Sequence, residues 1–310
     1  MTITIKRRIP SALRSFLLAP GNQARSIDRA FAARADVVIL DLEDGVAAAE
    51  KIATRALVVE ALRRPHTGRG YVRINSFDTA WCMADLEAVV GPWLHGIVLP
   101  RVESADHLQV IARSMSQLEH TRDMASRSLD LMAIIETAKG VAHASAIAAA
   151  TPRLSRLALG GADYASDLDL EWSADEQAFA YARARLAHAS RLAGLESPVD
   201  TAMLPGNDIE RFRTSARNGR RMGFFGKLCL QPDQVRPCNE EFTPSSEQVA
   251  HARAVIAAFD AAEAQGLASV HLDGELIDYP VVYKAQRMVA LAERLQSSHA
   301  VQPGGKPASA

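Results

Sequence analysis

Short apolar runs alternate with longer stretches in which apolar positions return every three or four residues. The runs are Ser15–Pro20, Asp36–Leu42, Gly70–Asn75, Gly96–Pro100, Leu129–Glu136, Leu157–Gly161, Pro198–Leu204 and Gly226–Leu230. Their length and their Val, Ile and Leu content read as strands buried on both faces. Between them, segments such as Ala47–Leu62, Ala105–Leu118, Val141–Ala150 and Ala174–Leu192 carry helical spacing. Eight strand–helix units predict a (β/α)8 barrel. A doubly wound dinucleotide fold would place a G-x-G-x-x-G turn after its first strand, and Pro20-Gly21-Asn22 is not one. After Gln231-Pro232 the alternation stops; Ser245–Gln265 and Val281–Gln296 read as helices joined by ASVHLDGELIDYP. The expected layout is a catalytic barrel over 1–240, a helical lid or oligomerisation extension over 241–297, and a disordered tail over 298–310.

Polar residues stand where the runs end. Glu43 and Asp44 follow VVILDL, Arg73 and Asn75 close YVRIN, Arg101 follows IVLP, Glu136 closes LMAIIE, and Asp163 follows LALGGA. A parallel barrel opens all its strand C-termini on one face, where active sites are built. Carboxylates and arginines distant in sequence are therefore expected to meet there.

Composition narrows the chemistry. The 310 residues carry 35 Lys and Arg against 36 Asp and Glu, a net charge of −1, which leaves no electrostatic footprint for nucleic acid or an anionic membrane. Three cysteines, Cys82, Cys229 and Cys238, form no C-x-x-C pair and fit neither a disulfide framework nor a structural zinc site. The apolar run near the N-terminus, Phe16 to Ala19, is too short for a signal-peptide core. These features predict a cytoplasmic protein acting on a small molecule.

Glu136 and Asp163 end successive strands, one strand–helix unit apart. Two carboxylates on adjacent barrel strands suit Mg2+, which keeps several waters and takes further oxygens from its substrate. The alternative is that both are salt-bridged to Arg73 or Arg101. Gly160-Gly161-Ala162 could bring backbone N–H groups close to an anion. Arg73, on an otherwise apolar strand, needs a carboxylate partner, for which Glu43 or Asp44 is available, and a held arginine can also stabilise developing negative charge. No histidine has a metal-ligand spacing partner, and there is no G-x-S-x-G elbow. Lys227, after Gly226, suits a phosphate better than a Schiff base. Asp278 in DGELIDYP reads either as the cap of the following helix or as an acid/base carried by a lid.

In this order, RSFLLAPGN, ADVVILDLEDGV, YVRIN, GIVLPRVES, IIETAKG, LGGADYASDL and GFFGKLCLQPDQV resemble the HpcH/HpaI aldolase/citrate lyase family, in its branch similar to the citrate lyase β subunit. The resemblance implies a Mg2+-dependent (β/α)8 barrel, trimeric or hexameric, that makes or breaks C–C bonds next to a carbonyl. It implies Glu136 and Asp163 as metal ligands, Arg73 as the oxyanion-stabilising arginine, and Glu43 and Asp44 as the acidic pair that positions it. Arg14 and Lys227 match basic positions near the phosphates of a CoA thioester, and Asp278 matches an acid/base carried by a neighbouring subunit's lid. Two positions depart from the family: Gln231 stands where a histidine is usual, and Arg101 where a lysine is.

The implied reaction splits a 3-hydroxy-carboxyacyl-CoA of citramalyl-, malyl- or citryl-CoA type into acetyl-CoA and a 2-oxo acid. Rival readings are a CoA-independent pyruvate aldolase, a thioesterase on the same substrates, and a non-catalytic CoA-binding protein. The citrate lyase β subunit is expected to be the shorter chain, so the C-terminal extension favours a stand-alone lyase.

Overall fold

The computed structural model describes residues 12–203 and 208–300. One compact unit spans Leu13–Phe242 and another runs on from Thr243. The first holds seven parallel strands: β1 (Ser15–Pro20), β2 (Val37–Asp41), β3 (Arg69–Arg73), β4 (Gly96–Leu99), β5 (Asp130–Ile135), β6 (Leu154–Leu159) and β7 (Lys227–Cys229). They lie side by side in the order β6-β5-β4-β3-β2-β1-β7. The eighth place is taken by the backbone around Val199 and Asp200, which bridges to Ala158 of β6 on one side and to Lys227 of β7 on the other. Its amide and carbonyl groups complete the ring, Val199 N–H donating to Leu157 O at 2.9 Å and Leu228 N–H to Asp200 O at 2.9 Å. The (β/α)8 barrel is closed. Leu204, the expected end of this strand, lies outside the described residues.

Side-chain parity sorts the strands into two cores. Phe16, Val37, Ile39, Tyr71, Val98, Met132, Ile134, Ala158 and Val199 fill the barrel interior. Their sequence neighbours, including Leu17, Val38, Leu40, Val72, Leu99 and Ile135, pack outward into the larger apolar cluster shared with the surrounding helices. Because both faces are buried, the strands read as continuous apolar runs rather than alternating ones.

The second unit pairs helices Ser246–Glu263 and Tyr279–Ala300 around its own apolar cluster of Val255, Phe259, Ile277 and Val282. Between them lies an antiparallel hairpin, β8 (Val270–Leu272) and β9 (Glu275–Ile277). Its turn is Asp273-Gly274, with φ of +52° and +83°. An Asp-Gly pair with both φ positive is the signature of a two-residue hairpin, and it was present in the linker sequence. The last helix extends to Ala300, past the expected start of a disordered tail at 298. Residues 301–310 and 1–11 lie outside the described residues. Among the described residues no helix is long and apolar enough to cross a membrane.

Candidate active site

The inward parity of β2 runs Val37, Ile39, Asp41, and that of β3 runs Tyr71, Arg73. Asp41 and Arg73 are register partners at the ends of the two strands. Arg73 Nε and Nη2 each donate to an Asp41 carboxylate oxygen at 2.7 Å. Asp41 also accepts from the N–H groups of Glu43 at 2.9 Å and Gly45 at 2.8 Å. The LEDG turn thus wraps its own strand's carboxylate, and a Cβ on Gly45 would stand 2.7 Å from Asp41 Oδ2. Burial works against the charge on both partners; the pairing outweighs it, holding the Asp41 carboxyl below its usual range and raising the Arg73 guanidinium.

Glu43 lies beside the same guanidinium, its Oε2 3.0 Å from Arg73 Nη1. The two are out of hydrogen-bonding alignment, and that buried oxygen makes no hydrogen bond among the described residues. Burial, with Asp44 and Asp41 nearby, pushes the Glu43 carboxyl up to about 7. Asp44 is exposed and stands 4.0 Å from Arg73 Nη1. Lys51, buried beside the Trp81 ring, fixes this loop from behind: its Nζ donates to the carbonyls of Leu42 at 2.9 Å and Glu43 at 2.8 Å.

Glu136 follows β5 directly and is 3% exposed. Its Oε1 accepts from the Arg101 N–H at 2.7 Å. Gly160, at the end of neighbouring β6, gives it room, since a Cβ there would fall 2.2 Å from Glu136 Oε2. Burial, then the charges of Glu43 and Asp163, push its carboxyl up to about 8. Asp163 sits in the first turn of the helix Gly161–Asp167, and its Oδ1 accepts from Arg101 Nη2 at 2.9 Å. One arginine therefore touches both carboxylates, through its backbone and through its side chain. The salt-bridge alternative raised by the sequence holds for Asp163 and Arg101.

Three expectations are corrected. Arg14 precedes β1, at the strand's N-terminal end, and its guanidinium is paired with Asp36 at 3.0 Å. The open face of a barrel lies at the other end, so Arg14 is not placed to meet a substrate phosphate there. Lys227 begins β7 with its side chain on the outer parity, opposite to Leu228. It has no exposed surface and donates to Thr201 O at 2.6 Å and Ser215 Oγ at 2.8 Å, 3.3 Å from Asp200. Arg183 and Glu176 complete this buried charge network behind the sheet. Gly161 spends its N–H on Thr201 Oγ1 at 2.8 Å, so it does not cradle an anion, and Ala162 follows it into the helix.

Sequence reading missed Asp41 and Lys51. Parity would have found Asp41, the third inward position of VVILD. Lys51 sits at the start of a helix like any solvated lysine and carried no such signal.

Asp278, in the second unit, caps the last helix: its Oδ1 accepts from Val281 N–H at 3.3 Å. The cap is real; a catalytic role would be additional to it. In the barrel unit, a cavity of about 480 Å3 opens beside the ends of β1 and β7, lined by Pro20, Ser26, Arg29, Gln231 and Asp233 among others. The carboxylate cluster does not line it.

This arrangement of a wrapped arginine and two rim carboxylates coincides with a family assignment. Residues 14–232 match the family model HpcH/HpaI aldolase/citrate lyase. The chain belongs to this family. It is 32% identical over 295 residues to the citrate lyase subunit beta of Escherichia coli (strain K12), covering 94% of this chain and 97% of that one. It is 33% identical to the L-malyl-CoA/beta-methylmalyl-CoA lyase of Cereibacter sphaeroides (strain ATCC 17029 / ATH 2.4.9), covering 91% of this chain and 95% of that one. Among solved structures, CitE from Mycobacterium tuberculosis in complex with magnesium, acetoacetate and coenzyme A superposes with a TM-score of 0.74 at 30% identity, covering 91% of this chain and 98% of that one.

One inference from the resemblance fails on these findings. The E. coli subunit aligns over 97% of its length with 94% of this chain, more of it than the barrel alone occupies. Length does not separate a stand-alone lyase of this family from a subunit of a complex.

Proposed function

We propose that this chain is a Mg2+-dependent carbon–carbon lyase. It cleaves, or in reverse forms, a 3-hydroxy-carboxyacyl-CoA of citramalyl-, malyl- or citryl-CoA type, with acetyl-CoA and a 2-oxo acid as the other side of the reaction. The carrying observation is that Glu136 and Asp163, from the ends of neighbouring strand–helix units, are bonded to one residue on the rim that also carries Arg73.

The donor set fits Mg2+. It is all oxygen, and among the described residues no three His, Cys, Asp or Glu side chains form a fuller cage, which suits an ion that completes its shell with water and substrate. When ionised, Glu43, Glu136 and Asp163 place more negative charge at the rim than Arg101 balances once Arg73 is committed to Asp41, and a divalent cation would stabilise that ionised cluster. Glu136 and Asp163 would hold it. Bound there, Mg2+ supplies Lewis-acid polarisation of substrate oxygens.

The chain's own residues do the rest. Arg73 gives two of its five N–H groups to Asp41 and is left with Nη1, on the Glu43 side, to donate to an oxygen that becomes negative. Because Asp41 holds the guanidinium rigid, little reorganisation accompanies that donation. In the cleavage direction the 3-hydroxyl gives its proton to solvent water, the C2–C3 bond breaks, its electron pair passes into the thioester enolate, and the carbonyl of the 2-oxo acid forms. We assign protonation of the enolate carbon to Asp278 of a neighbouring subunit, and to the same carboxylate the removal of the acetyl proton in the reverse direction. The cavity beside β1 and β7 is assigned to the CoA portion, with Gln231 in place of the usual histidine altering its polar lining.

Three free, buried thiols fit a reducing compartment, and we place the protein in the cytoplasm. We also assign it a homotrimeric or homohexameric state; exposed Ile52, Leu57 and Met83 on two adjacent helices support a subunit contact. The test of the function is product analysis with the three thioesters. Wild type should release a 2-oxo acid only with Mg2+, and Asp163→Ala should abolish the release. Retained turnover in that variant would overturn the assignment.

A further inference from the structure

Arg101 is held in an unusual way. Its backbone is left-handed, with φ of +50°, a conformation that a long side chain seldom adopts. Two bonds lock it: its own N–H to Glu136 Oε1 at 2.7 Å, and the next N–H, of Val102, to Ile134 O at 3.1 Å. The guanidinium is not locked in the same way. It is half exposed, and among the described residues its one close partner is Asp163 Oδ1 at 2.9 Å, with Glu43 Oε1 further off at 4.0 Å. A fixed backbone thus carries a half-exposed cation against the carboxylates to which the proposed function gives the metal.

We infer that Arg101 is an internal counter-ion that a divalent cation displaces: its guanidinium neutralises Asp163 when no metal is bound and leaves that carboxylate when one enters. The inference rests on the proposed metal-binding role of Glu136 and Asp163. A guanidinium and a metal ion compete for the same negative charge, and repulsion drives the weaker-held one off. The guanidinium is the weaker held, because an exposed ion pair is worth little in water. Once released it stays at the rim, since the backbone bond to Glu136 does not depend on its side chain. From there it can take a carboxylate of the substrate, which a cation pinned to Asp163 could not. Metal entry and acid binding are thereby coupled through one side chain.

The experiment is calorimetric titration of the full chain with Mg2+ alone, without substrate. Arg101→Gln removes the competing charge and keeps the backbone bond, and it should bind Mg2+ about fivefold more tightly than wild type. Arg101→Lys retains a cation and should fall between the two. A second titration, with pyruvate at saturating Mg2+, should show weaker binding to Arg101→Gln than to wild type. Thermal melts establish that each variant is folded. If wild type binds Mg2+ and Arg101→Gln binds it no better, or if the lysine variant binds as tightly as the glutamine one, the counter-ion role is overturned and the lyase assignment stands. If neither protein binds Mg2+, both fall.

Discussion

Asp41 and Arg73 face each other as register partners at the ends of adjacent parallel strands, joined by two hydrogen bonds of 2.7 Å. The pair is nearly solvent-free, at 2% and 8% exposure. Removing Asp41 takes away both aligned hydrogen bonds and leaves the buried Arg73 guanidinium with only the off-line Glu43 carboxyl at 3.0 Å. Asp41→Ala should therefore destabilise the protein by about 3–5 kcal/mol in denaturant unfolding. Asp41→Asn keeps part of the contact and should fold, with a fall in kcat larger than the change in KM, because Arg73 is then free to turn. An Asn variant with wild-type kcat would separate Arg73 from the chemistry.

Gly160 is required by space, not by backbone angle. Any Cβ there collides with the Glu136 carboxylate at 2.2 Å and with its Cβ at 2.5 Å. Gly160→Ala should displace Glu136 and reduce Mg2+ affinity by at least about tenfold, which is about 1.4 kcal/mol. Titration calorimetry checks the affinity, and circular dichroism checks that the barrel persists.

The raised carboxyl of Glu136 makes the metal-free protein sensitive to alkali. Between its ordinary 4.5 and about 8, the folded state holds a proton that the unfolded chain has lost. Stability must then fall as pH rises through that window, and Glu43, at about 7, adds to the same trend. Mg2+ needs the ionised carboxylates, so its affinity should rise over the same range and binding should release protons. Melting temperatures with and without Mg2+ should diverge as pH increases from about 5 to about 8. Titrations in buffers of different ionisation enthalpy give the proton count; a count of zero at neutral pH would contradict this picture.

Asp278 can be tested apart from the metal. Asp278→Asn retains an oxygen that accepts from Val281 N–H, so the helix cap should survive with little loss of stability. If the residue handles the acetyl proton, the variant should lose solvent exchange of the acetyl-CoA methyl protons by about a hundredfold or more while still binding Mg2+. Exchange at the wild-type rate would leave Asp278 as a cap alone.

The rhythm of buried strands and helical spacing was enough for the barrel, because a parallel strand covered on both faces leaves a continuous apolar run in the chain. The same rhythm placed Glu43, Arg73, Glu136 and Asp163 at strand ends, and a closed barrel brings all strand ends to one rim. Partner choice was not legible. That Arg73 pairs with Asp41, that Asp163 takes Arg101, and that Lys227 turns outward into Asp200 depend on register and on side-chain parity across strands far apart in sequence. Strand length adds to this: the eighth strand survives only as two bridges, and Arg14 is carried to the closed end of the barrel because it stands one residue before β1 rather than after it. The chain thus encodes locally which elements form and which residues terminate them. Which charges neutralise one another is settled only when the sheet closes, since an ion pair needs its two groups within a few ångströms and nothing short of the folded ring supplies that distance.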